Sequence, residues 1–185
     1  MKSQPSSRRK FLQKAALVTA GITVFSSSKT AANVFNSASP YPHYNPFTSQ
    51  KTDLRTPLTT APSVKVNGIL LDKVTNLPVA NAKVEVWHVS PGSKKVRHRA
   101  HFYTDALGNY SFVTDMPNKT ELGSPRIYFR FSSGASIEQT QLVIGAADAY
   151  IDQNHWARQN KFNPKVLPRM TKPLGKRTVS FTNVI

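Results

Sequence analysis

Ala82-Lys83-Val84-Glu85-Val86-Trp87 puts Val84 and Val86 on one side and Lys83 and Glu85 on the other. That is the period-two alternation of a half-buried β-strand, and it excludes a helix, whose apolar residues recur every three or four positions. Further along, Ala100 to Thr104 and Tyr110 to Thr114 flank Asp105-Ala106-Leu107-Gly108-Asn109. Asp, Gly and Asn are turn formers, so the pattern predicts a hairpin about residues 105–109.

The same texture continues on either side. Val64-Lys65-Val66-Asn67-Gly68-Ile69-Leu70-Leu71 reads as a strand with a Gly bend, Asp72 to Pro78 as a turn, and Pro91-Gly92-Ser93 as a break. Ile127-Tyr128-Phe129-Arg130-Phe131 alternates with its apolar residues at 127, 129 and 131; Thr140 to Ile144 and Thr178 to Val184 supply further strands. Short strands at this spacing predict an all-β protein, an antiparallel β-sandwich, over residues 63–185. One short helix is expected within 146–159, because Ala146, Ala147, Tyr150, Ile151 and His155 fall on one side, and a basic, Pro-containing loop over 161–177. No internal repeat is present.

Residues 33–62 contain Pro40, Pro42, Pro46, Pro57 and Pro62 and no periodic apolar pattern, which predicts an extended arm or a linker. Tyr41, Tyr44 and Phe47 would pack across the domain if it is an arm. Residues 1–32 read as an address. Ser7-Arg8-Arg9-Lys10-Phe11-Leu12, the mildly apolar run Ala15 to Phe25 and the small residues Thr30-Ala31-Ala32 resemble a bacterial twin-arginine export signal. The expected location is therefore the periplasm or the exterior.

The chain has 185 residues, no Cys, and 25 Lys+Arg against 9 Asp+Glu. The absence of Cys excludes a disulfide scaffold, a zinc–thiolate site, an iron–sulfur cluster and a thiol nucleophile. Six of the basic residues and none of the acids lie in 1–32, so the formal +16 falls to +10 over the remainder. Outside the cytoplasm such a charge points to an anionic envelope polymer or a small acidic ligand. Nucleic acid is not expected, since the basic residues are not interleaved with aromatic stacking platforms. No stretch approaches the roughly 18 apolar residues of a transmembrane helix.

Gly68-Ile69-Leu70-Leu71-Asp72, Leu77-Pro78-Val79-Ala80-Asn81-Ala82-Lys83-Val84-Glu85-Val86-Trp87-His88, Thr104-Asp105-Ala106-Leu107-Gly108-Asn109-Tyr110-Ser111-Phe112 and the closing Val179-Ser180-Phe181-Thr182-Asn183-Val184 resemble the catalytic domain of the intradiol ring-cleavage dioxygenases. The resemblance implies a prealbumin-like sandwich. In that family ferric iron, held by two Tyr and two His, opens catechols between their hydroxyls. Phenolate ligation suits a hard ferric ion. Members of that family often form dimers or larger assemblies, so a homo-oligomer is among the expected partners.

The family's ligands do not carry over residue by residue. The first Tyr is expected about eight residues after Trp87, where Pro91-Gly92-Ser93-Lys94-Lys95 stands. Thr120 takes the place of the second Tyr. The two His positions fall at Tyr128 and Arg130. Pro125 stands where the family places a substrate-binding Arg, with Arg126 beside it. All four ligands are thus replaced, and no cofactor is expected. Lys94, Lys95, Arg126, Tyr128 and Arg130 become candidates for binding an acidic or aromatic ligand, Arg by forking a carboxylate and Tyr by stacking.

An alternative metal set is His88, His98, His101 and Tyr103, since imidazole suits zinc, copper or iron. Arg97 and Arg99 among them oppose it. The competing expectation is that His88 is a packing residue beside Trp87 and that His98 and His101 are solvated loop residues. No Ser-His-Asp arrangement or carboxylate pair stands out, so no catalytic residue is assigned. Three functions follow. The first is an exported, non-catalytic dioxygenase-like protein binding an acidic or aromatic ligand in the vacated cleft. The second is an active ring-cleaving oxygenase with Fe(III) on divergent ligands. The third is a basic structural or adhesive sandwich at the cell envelope.

Overall fold

The computed structural model describes residues 41–58, 60–119, 123–151 and 167–185. The expected export signal, Thr120, His155 and most of the expected helix lie outside the described residues. Residues Pro40–Ile185 form one compact unit. The described residues form ten strands: β1 (Ser63–Leu71), β2 (Lys83–His88), β3 (His98–Tyr103), β4 (Asn109–Asp115), β5 (Arg126–Ser133), β6 (Ser136–Ile144), β7 (Ala149–Ile151), β8 (Arg169–Thr171), β9 (Arg177–Ser180) and β10 (Asn183–Val184).

One sheet runs β3-β2-β5-β6-β7, antiparallel throughout. The other is built on β1, which pairs antiparallel with β4 and parallel with β9 and β10, with β8 beyond β9. Alternation decides what lies between the sheets. Val84, Val86, Phe102, Ile127, Phe129 and Phe131 meet Val64, Val66, Phe112, Val179 and Phe181 in one fully buried cluster. Phe129 lies 5.9 Å from Phe112 and 5.2 Å from Phe181, ring to ring, edge-on. The expected β-sandwich is therefore present.

Three local expectations are corrected. β3 and β4 do not form a hairpin: they belong to different sheets, and the 105–109 turn carries the chain across the core. The turn is as tight as a hairpin's, with Gly108 N–H bonded to Asp105 O at 3.0 Å and Asp105 N–H to Asn109 O at 2.9 Å. Phe102 and Phe112, 5.4 Å apart, face each other as partners from opposite layers. Within 146–159, residues 149–151 are a strand and not helix, because Ala149 and Ile151 are buried and Tyr150 is exposed, a period of two. The 161–177 loop carries β8, paired with β9.

Residues 41–56 run along the sandwich as an arm. His101 N–H bonds Ser49 O and Lys51 N–H bonds His101 O; two residues later Val113 N–H bonds Thr52 O and Leu54 N–H bonds Val113 O. The arm thus pairs first with β3 and then with β4, covering an edge of each sheet. Unpaired edges template unwanted association, so this seam also protects the fold. Leu54 anchors it in the core at 3% exposure.

Candidate functional site

β2 and β5 pair so that Trp87 stands opposite Tyr128 and Glu85 opposite Arg130. All four side chains point away from the main core, since their neighbours Val84, Val86, Phe129 and Phe131 point into it. The arm covers them. Tyr41 stacks on Tyr128 with ring centroids 5.2 Å apart and planes 29° apart. Tyr44 lies 5.2 Å from Trp87, and Trp87 Nε1–H donates to the carbonyl of Pro42 at 2.9 Å. Tyr128 and Trp87 are buried in consequence.

Beneath Tyr44 lies a charged knot. Glu85, only 1% exposed, accepts from Arg130 Nη1 at 2.7 Å and Lys83 Nζ at 3.0 Å. The Tyr44 hydroxyl reaches both carboxylate oxygens at 3.2 Å and accepts from Arg130 Nη1 at 3.1 Å. Two cations on one buried carboxylate are what burial requires of it. Burial, and then the Glu85 charge, push the Tyr44 phenol up to about 12. Burial also raises the Tyr128 phenol. Of the other candidates, Arg126 sits on the same strand, and its Nε is buried without a hydrogen-bond partner. Lys94 and Lys95 are exposed on the β2–β3 loop.

A second polar cluster lies inside the sandwich, at one end of the core. His88 and His98 stack at 4.6 Å between centroids. The carbonyl of Val89, 2.9 Å from His88 Nδ1, can only accept, so Nδ1 carries the proton and Nε2 accepts from Thr114 Oγ1 at 2.6 Å. Burial pushes His88 down to about 3, so it is neutral at physiological pH. His98 Nε2 faces Asp115 Oδ2 at 3.0 Å and Nδ1 faces Ser90 Oγ at 2.8 Å. Burial raises Asp115, but the backbone N–H of Thr56 at 2.8 Å and His98 outweigh it and hold its carboxyl low.

Ser90, His98 and Asp115 thus form a hydrogen-bonded series that the sequence did not announce. His98 is a buried strand residue, not a solvated loop residue. The series is a closed one: Ser90 Oγ also accepts from Arg97 N–H at 3.1 Å, and all three residues are buried. A cavity of about 380 Å³ opens onto Asp115 and Thr56, but Ser90 is not among its lining residues.

No family model and no curated protein matches the chain. Solved structures do. The dioxygenase domain of a dioxygenase–carbohydrate-binding protein fusion from Streptomyces sp. SirexAA-E superposes with a TM-score of 0.61 at 19% identity, over 80% of this chain and 94% of that one. An intradiol ring-cleavage dioxygenase from Tetranychus urticae gives 0.55 at 14%, over 78% and 90%. Chlorocatechol 1,2-dioxygenase from Pseudomonas putida gives 0.56 at 19%, over 78% and 69%. The fold is intradiol dioxygenase-like.

Among the described residues, the two positions at which the resemblance expects imidazole ligands hold other side chains. Where the family's resemblance calls for imidazoles, Tyr128 is stacked under Tyr41 and Arg130 is a cation committed to Glu85. The alternative set is not brought together either. His88 and His98 use both ring nitrogens within the core cluster. His101 lies on the opposite face of β3, bonded to Thr48 and edge-on to Tyr103 at 6.0 Å. Among the described residues, no three His, Cys, Asp or Glu side chains form a group able to hold a metal.

Proposed function

We propose that this is an exported intradiol dioxygenase-like protein that has left ring cleavage and binds an acidic or aromatic ligand on the outer face of β2 and β5. What carries the reading is that Tyr128 and Arg130 stand where the resemblance expects two imidazole donors, with Arg126 on the same strand beside an aromatic face. Arg130 is already engaged by Glu85, whereas the Arg126 Nε–H is buried with no acceptor. A buried donor without a partner is costly, and a carboxylate supplied by a ligand removes that cost. The ring of the ligand takes the place of the Tyr41 ring against Tyr128, and Lys94 and Lys95 supply further positive charge at the same end of the sheet. Export by the twin-arginine route and the net basic charge fit a ligand gathered outside the cytoplasm.

Titration calorimetry with benzoate tests this. Saturable binding that falls at least tenfold in Arg126→Ala is expected. No binding, or binding indifferent to Arg126→Ala, overturns the reading.

A further inference from the structure

Segment 41–44, Tyr-Pro-His-Tyr, meets the sheet in a way that reads its sequence. A residue before Pro is held extended, and Tyr41 and Asn45 each precede one. Between the two tyrosines His43 is left-handed, at φ 64, and exposed. That kink lets both rings face the sheet, at the strain a non-Gly residue bears there. Two strands, β2 and β5, then bind three separate features. Tyr128 takes the Tyr41 ring, the Trp87 indole N–H takes the Pro42 carbonyl, and Glu85 with Arg130 takes the Tyr44 hydroxyl. The guanidinium of Arg130 also lies 5.3 Å from the Tyr44 ring centroid. An aromatic sheet face whose Trp donates to the backbone of a Pro-containing segment is a peptide-reading arrangement.

We propose that the outer face of β2 and β5 is a recognition site for a Tyr-Pro-x-Tyr peptide segment, occupied in cis by the protein's own residues 41–44 and open to the same segment in trans. The occupant is named by the structure itself. The seam over β3 and β4 and the buried Leu54 hold residues 49–56 independently. Residues 41–44 are held on the outer face through the contacts just described, and Phe47 beyond them is 83% exposed. The tether gives the cis segment an effective concentration in the millimolar range, which a trans peptide must overcome. A chain that bound no small acid would still possess this site, so the two readings fail separately.

The test uses a fluorescein-labelled peptide with the sequence of residues 41–47 and the full chain carrying Tyr41→Ala and Tyr44→Ala. Fluorescence anisotropy should show binding to that variant at least tenfold tighter than to the unaltered chain, and loss of binding when Trp87→Phe is added. Exchange of the Trp87 indole proton, followed by NMR, should quicken in the variant and slow again with peptide. Equal binding to both chains, binding that survives Trp87→Phe, or no binding to a variant whose Trp87 proton has become exposed would each overturn the proposal. Tyr44→Phe, which removes only the hydroxyl, supplies a milder second variant and should give an intermediate gain.

Discussion

The two polar clusters are built on the same strands and end in opposite states. Glu85 and His88 are three residues apart on β2, each at most 1% exposed, one pointing out of the sandwich and one into it. Inside, every nitrogen of His88 and His98 has a partner from β4 or from the loop after β2, and Thr56, at the end of the arm held by the seam and Leu54, adds contacts to His98 and Asp115. Outside, Glu85 and Trp87 owe their burial to an arm that reaches them across more than forty residues of sequence. Burial alone therefore does not mark a site as structural. What separates the two is whether the covering groups belong to the sheet or to a tethered segment. The interior cluster resists any change, and the outer face is the part of the molecule able to exchange partners.

The largest effect should come from breaking the interior. Asp115→Ala removes the acceptor of both His98 and the Thr56 N–H, and losing one partner of a buried pair costs about 3–5 kcal/mol. Urea unfolding should show it, and a loss under 1 kcal/mol would make the cluster as exchangeable as the outer face.

Acid should act next, through His88 in the interior cluster. The unfolded chain takes up a proton at His88 near pH 6.5 that the folded chain refuses until about 3. The unfolded state thus binds more protons across that window, so stability falls as pH drops below 6.5, by about 1.4 kcal/mol per pH unit. His88→Gln should flatten the dependence.

Smaller changes probe the arm. Tyr44→Phe deletes a hydroxyl between Glu85 and Arg130 and should cost about 1 kcal/mol, leaving Glu85 both of its cations. His43→Gly relieves the left-handed strain at φ 64 against the extra chain entropy of Gly, a net gain of about 0.5 kcal/mol. It should also protect the Trp87 indole proton more strongly.

Much of this was legible in the sequence, for a specific reason. Period-two alternation in 82–87 and 127–131 is a local signal, and it gave the sandwich and the facing of Phe129 and Phe131 correctly. The same parity extends His88 from Val86, His98 toward Ala100 and Thr114 from Phe112, which is the signal that would have placed the interior cluster. His98 is hidden in the sequence because, between Arg97 and Arg99, it reads as solvated. The 105–109 turn could not be told from a hairpin, since a chain crossing between layers uses the same Asp, Gly and Asn chemistry. Glu85 was placed on the outer face, as observed. Its burial was not readable, because the arm that buries it is distant in sequence and carries no periodic pattern.

The proposed function holds that this intradiol dioxygenase-like fold carries an aromatic, cationic face where the resemblance expects metal donors. Elemental analysis of the protein purified without chelator, beside a visible absorption spectrum, tests it most directly. The account predicts no stoichiometric iron and no iron–phenolate band. About one iron per chain with a broad visible band would contradict it, and would require His88, His98, His101 or the tyrosines to leave the partners described above.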